Sequence, residues 1–333
     1  MRVLLVLALA QAALGTWVDV DEWANFKRAH GKNYADQFVE LKHMQTYAAN
    51  KAYINKHNAE ADAGLHTYRL GINKYADMTN EEFSALMTRR KPAGLHRQQQ
   101  QHGRPFVGTG LTAPESIDWR DQGAVTPAKD QGQCGSCWSF STTGSLEGMW
   151  KLAGNDLVSL SEQQLMDCSF SYGNNACNGG EMRYSFEYLT DIGGIMSEAD
   201  YPYEARTHHN RCNYDPAKSV ADCTDFVIIQ TDDESKLLDA VGNVGPVAVG
   251  MDASHLDFQL YSSGIYSNAN CGTAISELDH GVLAVGYGTD AEGDFWLVKN
   301  SWGAEWGMDG FFKMARNANN MCGIASDCVY PII

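Results

Sequence analysis

Residues 132–140 read GQCGSCWSF, with Cys134 and Cys137 separated by Gly135 and Ser136. Such a pair has three readings: half of a metal site, a redox couple, or one reactive thiol beside a structural neighbour. A zinc site needs a second close Cys or His pair at ligand spacing. None follows, since Cys168 and Cys177 stand nine apart. A thioredoxin-like couple sits at a strand-to-helix junction of a βαβ unit, whereas the strand patterns here come much later. The third reading needs a helix start, a histidine and a group to orient it. The stretch CWSFSTTGSLEGMWKLAG (137–154) reads as a helix with Cys137 in its first turn, where the dipole and the unused N–H groups favour a thiolate. His280 in LDHGVLAVGYG and Asn300 in FWLVKNSWG follow 143 and 163 residues later.

Outward from this motif, the chain has 333 residues, room for more than one compact unit. MRVLLVLALAQAALG (1–15) has one positive charge, an apolar run too short to span a bilayer, and Ala13 and Gly15 placed for cleavage. It reads as a secretory signal peptide, assigned to 1–16. No other run is long and apolar enough to cross a membrane, so a soluble mature protein is expected. The nine cysteines all follow residue 112 and enter an oxidising compartment. Their odd number leaves at least one outside a bridge. Residues 1–112 carry net charge +4 and 113–333 carry −20, within a total of −16. The acidic second part repels phosphate backbones and anionic membranes, which argues against nucleic-acid and membrane partners.

Residues 39–64, VELKHMQTYAANKAYINKHNAEADAG, read as one long helix ended near Gly64. Residues 88–112 are basic, rich in Gln, Gly and Pro, and without apolar periodicity, and read as an exposed linker. From Cys137 to about Gly194 the pattern is helical. SLSEQQLMDCS carries a capping box of Ser161 with Gln164, and GEMRYSFEYLTDIGG stops at a glycine pair. From about Val220 short glycine-bounded strands take over, in VGPVAVGMDA, HGVLAVGYG, DFWLVKNSWG and GFFKMAR. A helical half beside a sheet half gives an α+β protein with a cleft between them.

The segments APESIDWRDQGAVTPAKDQGQCGSCWSF, CNGG, LDHGVLAVGYG, KNSWGAEWG and MCGIAS, in that order, resemble the papain superfamily of cysteine proteases, most of all its cathepsin L branch. The resemblance implies a two-domain fold, with a helical left domain, a β-barrel-like right domain and an active-site cleft between them, preceded by a helical propeptide. The domains then read 1–16 signal peptide, 17–112 inhibitory propeptide and 113–333 peptidase. It makes Cys137 the nucleophile, His280 its general base and acid, Asn300 the amide that orients the imidazole, and Gln131 an oxyanion donor together with the Cys137 N–H. Trp302 would cover the His280–Asn300 contact. No cofactor and no metal is implied.

The same resemblance pairs Cys134 with Cys177, Cys168 with Cys212 and Cys271 with Cys322. Cys223 and Cys328 match no usual cysteine of the branch, and parity points to a fourth bridge between them. In the first part, GINKYAD supplies Gly71, Asn73, Tyr75 and Asp77 of a propeptide element. The long helix keeps Tyr47, Asn50, Ile54 and Asn58 at the family's spacing, but has Val39 and His43 where Glu and Arg are usual. The propeptide is expected to run through the cleft and block it, loosening as carboxylates take up protons at acid pH.

By resemblance, the backbone of Gly179 and Gly180 aligns the substrate, and the pocket for the residue two before the cut (P2) is lined by Glu181, Met182, Gly250, Leu278 and Asp327, with Asp279 and Trp302 also in the substrate site. Two acids in that pocket, where relatives carry apolar or small neutral residues, predict acceptance of Arg beside Leu and Phe. The His208–His209 segment is too short for the blocking loop of an exopeptidase, so an endopeptidase acting on polypeptides is expected. A non-catalytic peptide-binding or storage relative would lack Cys137, His280 or Asn300, and all three are present. An inhibitor built on the first part alone would lack the enzyme part. Cystatin-type inhibitors and a monomeric state are further expectations. No N-x-[ST] triplet occurs, which leaves lysosome and extracellular space as competing destinations beyond the secretory pathway.

Overall fold

The computed structural model describes residues 18–88, 103–208, 211–229 and 232–333. The expected signal peptide, residues 89–102 of the expected linker, and His209 lie outside the described residues. Helix α1 (Val20–Ala29) starts at Asp19, whose carboxylate accepts from the Asp21 N–H. Helix α2 (Gln37–Asp62) is capped by Asp36 through the N–H groups of Phe38 and Val39. The two helices are held by aromatic packing among Trp23, Phe26 and Tyr47 and by Glu22 and Glu40, which accept from Tyr47 and Trp23. Strand β1 (Tyr68–Leu70) and helix α3 (Asn80–Met87) follow, the latter opened by a Thr79–Glu82 capping box. Strand β2 (Arg104–Pro105) lies in what the sequence suggested was exposed linker. Phe106 beside it is buried, and its N–H donates to Ile228 O at 2.8 Å.

Strand β3 (Ile117–Asp118) leads into the helical half, built from α4 (Cys137–Leu152), α5 (Glu162–Cys168) and α6 (Met182–Ile192), with the pair β4 (Ile195–Met196) and β5 (Ser219–Ala221). The Ser161 hydroxyl accepts from Gln164 N–H as expected, but the reciprocal half of the box is missing. The Gln164 carboxamide is taken instead by Tyr188, Gly194 O and Met196 N–H. The sheet half comprises β6 (Asp225–Ile229), α7 (Glu234–Asn243), β7 (Val247–Met251), α8 (Leu256–Gln259), β8 (Tyr261–Tyr266), β9 (His280–Asp290), β10 (Gly293–Lys299), β11 (Phe311–Ala315) and β12 (Cys328–Ile332).

The main sheet runs β1-β8-β11-β10-β9-β7-β12-β6-β2, with β3 added on β9. The sheet does not close on itself, and the α+β architecture of a helical half beside a sheet half is as expected. Closure would bring β8 against β6, but these lie at opposite ends of the ladder and each pairs with a strand from the N-terminal region.

Helix α4 joins the halves. Ser141, Gly144, Ser145 and Gly148 recur at helical spacing on one face, which lets the sheet approach closely. A Cβ on Gly144 would lie 2.8 Å from Leu283 Cδ2, and one on Gly148 2.7 Å from Pro246 Cγ. The hydroxyls of Ser141 and Ser145 donate to Val282 O (2.6 Å) and Pro246 O (2.8 Å) across the same contact.

Disulfides Cys134–Cys177 and Cys168–Cys212 brace the helical half and Cys271–Cys322 the sheet half. The expected Cys223–Cys328 bridge is not formed, and both residues remain buried thiols. Strand register gives the reason. Cys328 faces Ile229 at one end of the β12–β6 pair, whereas Cys223 precedes Thr224, whose N–H bonds Ile332 O at the other end. Four strand residues separate the two ends, about 13 Å at ordinary rise, well beyond the reach of a disulfide.

Candidate active site

Cys137 is fully buried as the first residue of α4, with no acidic side chain in the first turn and no side-chain cap from Ser136. The positive end of the helix therefore acts on its sulfur without a competing anion from the helix itself. Strand β9 brings His280 to the same place. Ser141 of α4 bonds Val282 of β9, and one step nearer the helix start a Cβ on Gly281 would lie only 3.2 Å from Trp138 Cα. Gly281 thus lies against Trp138, the neighbour of Cys137, and His280 precedes Gly281 on the strand that reaches the helix start.

The buried His280 ring holds Nε2 2.8 Å from Asn300 Oδ1. That oxygen also accepts from Ser301 N–H at 2.8 Å, which fixes the orientation of the amide. An acceptor opposite Nε2 requires the proton there in the neutral ring, so Nδ1 is the basic nitrogen. Trp302 lies over the imidazole with ring centroids 4.7 Å apart and is fully buried, keeping water from the His280–Asn300 contact.

Gln131 lies on the loop before Cys137. Its Nε2 donates to Cys134 O at 2.9 Å and to Met87 O, the last residue of α3, at 3.2 Å. Its Oε1 accepts from the Ser301 hydroxyl at 2.6 Å. A main-chain carbonyl of the N-terminal region thus occupies the Gln131 amide. The element behind Met87 is seated by apolar surface. Phe83 is fully buried, 5.0 Å edge-on to Trp302 and 5.2 Å from Tyr75. Gln259 donates to Tyr75 O and Met78 O and accepts from Asn73, while Asn50 of α2 donates to Ala76 O and Met78 O. The family-spaced Asn58 likewise bonds both main-chain groups of Leu70.

Val39 and His43, standing where Glu and Arg are usual, cannot form the ion pair of those two residues. His43 Nδ1 lies 2.7 Å from Asp77 O, and the Asp77 carboxylate is held by Lys32 (2.8 Å) and the Tyr34 hydroxyl (2.7 Å). A lysine from a different turn therefore supplies the charge.

The substrate-pocket candidates come from both halves. Gly179 and Gly180 precede α6, Glu181 is its buried N-cap residue, and Met182 Sδ lies 3.3 Å from the position of a Cβ on Gly281. From the sheet half, Gly250 N–H donates to Asp327 O at 2.9 Å, Asp279 N–H donates to Met251 O at 3.0 Å, and Leu278 packs on Gly323. The Asp279 carboxylate accepts from Ala253 N–H at 2.9 Å and from the Thr88 side chain just past α3. Burial pushes this carboxyl up to about 7, against the Ala253 N–H and with the Asp252 carboxylate adding to the rise. Asp252, His255 and Cys271 also lie close together, but the Cys271 sulfur is committed to Cys322 and offers no thiolate to a metal. Sequence reading missed Ser301, although it adjoins Asn300, and Tyr203, which bonds the Gln131–Ser136 loop and carries no spacing signal.

A buried thiol at a helix start, an oriented imidazole and an amide donor beside them form an arrangement suited to acyl transfer through a thioester. Comparison with known proteins agrees. The family described as "Papain family cysteine protease" matches residues 113–332, and "Cathepsin propeptide inhibitor domain (I29)" matches 23–83. Cathepsin L1 of Drosophila melanogaster is 47% identical, covering 99% of this chain and 90% of its own. Digestive cysteine proteinase 3 of Homarus americanus is 45% identical, covering 98% and 99%. The solved digestive procathepsin L 3 from the larval midgut of Tenebrio molitor superposes with a TM-score of 0.87 at 43% identity, over 94% of this chain and 98% of that one. The chain belongs to the papain family of cysteine proteases, as a cathepsin L-like enzyme made with its own inhibitory propeptide.

Proposed function

We propose that Cys137, His280, Asn300 and Gln131 carry out peptide-bond hydrolysis, and that 17–112 is the propeptide and 113–333 the peptidase, after a signal peptide at 1–16. The observation that carries this reading is the Met87 carbonyl on the Gln131 amide, beside the thiol and imidazole. A backbone carbonyl held there by the propeptide occupies the place of a scissile carbonyl.

In the reaction, Cys137 gives its proton to His280 Nδ1, and the thiolate attacks the substrate carbonyl carbon. The oxyanion is held by Gln131 Nε2–H and the Cys137 N–H. The imidazolium then protonates the leaving amine as the C–N bond breaks, leaving a thioester. Water, deprotonated by His280, attacks the thioester and releases the acid and the thiol. Asn300 keeps the ring in the required tautomer throughout. The test is acidification of the purified proenzyme with a thiol present. Cys137→Ala should neither process itself nor cleave peptides, and Gln131→Ala should lose about 10²–10³ in kcat. Peptide hydrolysis by Cys137→Ala at the wild-type rate would refute the assignment.

We also propose that the P2 pocket of Glu181, Met182, Gly250, Leu278 and Asp327 takes Leu and Phe and, through Glu181 and Asp327, Arg, with Asp279 and Trp302 elsewhere in the substrate site. Asp327 stands across from Gly250 where β7 meets β12, which supports the reading. A substrate with Arg at P2 should be cleaved less well by Asp327→Ala while one with Leu is unaffected, and equal loss on both would refute it. Polypeptides are the substrates of an endopeptidase that acts as a monomer, reaches the lysosome or the extracellular space through the secretory pathway, and is open to cystatin-type inhibitors.

A further inference from the structure

Both proposed oxyanion donors lie on one loop, Gln131–Cys137, and Tyr203 spans its two ends. The Tyr203 hydroxyl donates to Gln131 O at 2.7 Å. A phenol has one proton to give, so the 2.6 Å contact between Tyr203 Oη and Ser136 Oγ runs the other way, with Ser136 as donor. The result is a directed chain, Ser136 hydroxyl to Tyr203 hydroxyl to Gln131 carbonyl, joining the residue that carries one donor to the residue next to the other.

Ser136 supplies a second observation. It occupies the N-cap position of α4, where a serine oxygen ordinarily accepts from an N–H of the first turn. Here it makes no such bond. Its hydroxyl is turned to Tyr203, so its side chain takes none of the first-turn N–H groups and leaves the Cys137 N–H to the oxyanion position. The tyrosine ring is itself fixed, edge-on to Phe140 of α4 at 4.9 Å and 76°, with the Tyr203 N–H on Glu198 Oε1 at 2.8 Å. On the other side, Ser301 holds Gln131 through both its N–H (2.8 Å) and its Oε1 (2.6 Å). The carboxamide is therefore set from the sheet half by Ser301 and its main chain from the helical half by Tyr203.

We propose that Tyr203 is a positioning residue for peptide hydrolysis, setting the separation of the two oxyanion donors through Gln131 and Ser136. This rests on the assignment of Gln131 as an oxyanion donor. The Tyr203 hydroxyl is committed to Gln131 and Ser136, so its effect falls on the charged intermediate and leaves substrate binding as it is.

Tyr203→Phe removes the hydroxyl and keeps the ring against Phe140. With acid-processed enzyme and a peptide amide substrate, kcat should fall about tenfold with KM within about twofold, a smaller loss than deleting the donor itself. In a Gln131→Ala background the same substitution should cost less than about twofold, because the group it positions is gone. An equal fractional loss in both backgrounds, or a change confined to KM, overturns the role of Tyr203 while leaving Gln131 as donor. An unchanged kcat in Gln131→Ala alone overturns the donor assignment itself and the inference with it. Should Tyr203→Phe give no folded proenzyme, Ser136→Ala carries the test. A fall in kcat at constant KM supports the chain of hydroxyls, and an unchanged kcat overturns it.

Discussion

The N-terminal region grips the sheet at both of its edges, and the two grips differ in kind. At the β8 edge it lays down β1 with Tyr68 and Leu70 buried, then continues through Tyr75 and Phe83 onto Trp302 and Phe258. At the β6 edge it offers two exposed residues in parallel register, one buried ring at Phe106, and polar links from Arg104 to Asp225 and from Thr109 to Asp239. The first is apolar and extensive, so it carries the inhibition. The second is short and charged. Hydrogen bonds from the Phe226 N–H and Arg104 outweigh burial to hold Asp225 below its ordinary 3.8, and those from Thr109 and Asn243 do the same for Asp239.

Substitutions can break this contrast. Phe83→Ala should act most strongly, removing a fully buried ring at a cost of about 3–5 kcal/mol to propeptide docking. The proenzyme should then cleave peptides at neutral pH before any processing, and a latent Phe83→Ala proenzyme would place the inhibition elsewhere. A smaller effect is expected from His57→Gln. Burial holds the His57 imidazole below 6.5, with Tyr68 O at 3.1 Å from Nε2 and His66 stacked at 4.1 Å. A depressed histidine stabilises the docked fold above 6.5, and this contribution is lost as pH falls through the lowered value. His57→Gln should therefore process more slowly than wild type just below pH 6, and identical pH profiles would remove the histidine from the account. The smallest effect belongs to Asp225→Asn combined with Asp239→Asn, each link being worth less than about 1 kcal/mol. Their contribution is present above about 3.8 and lost as pH falls through the depressed values. The double variant should show a weaker acceleration of processing as pH falls below about 3.8, whereas full acceleration there would show that the charged grip is not the acid-sensitive one.

Much of this was legible because the relevant signals are local. The start of α4 at Cys137, its stop before Gly154, the strand bearing His280 and the strand that ends just before Asn300 follow from periodicity and glycine placement in GSCWSF, LDHGVLAVGYG and KNSWG. Parity arguments failed on Cys223 and Cys328 because counting cysteines is blind to strand register, which sets these two at opposite ends of one ladder. Strand patterns gave no measure of closure, since that depends on which strands meet at the edges. The capping box at Ser161 was half right because the Gln164 side chain had better partners in Tyr188 and Gly194, distant in sequence. Sequence patterns also gave no sign of a buried charged network near the junction of the halves. Lys129 binds Glu162 at 2.8 Å and Glu147 at 3.3 Å, and Lys299 donates to Thr126 at 2.8 Å. Met87 on Gln131 was equally hidden, because no pattern in either segment announces a contact across 44 residues.

Of the sheet's two outermost strands, β1 lies within the propeptide match and β2 between it and the peptidase match, so the proposed division of the chain has maturation remove both. An unpaired strand edge is a template on which other chains add and aggregate. While the propeptide is attached, neither β8 nor β6 presents such an edge, so the newly made protein is shielded from self-association during the stage when it is most concentrated and least folded. Maturation uncovers the cleft and both edges, and the solubility of the finished enzyme then depends on the acidic surface of residues 113–333 keeping its copies apart.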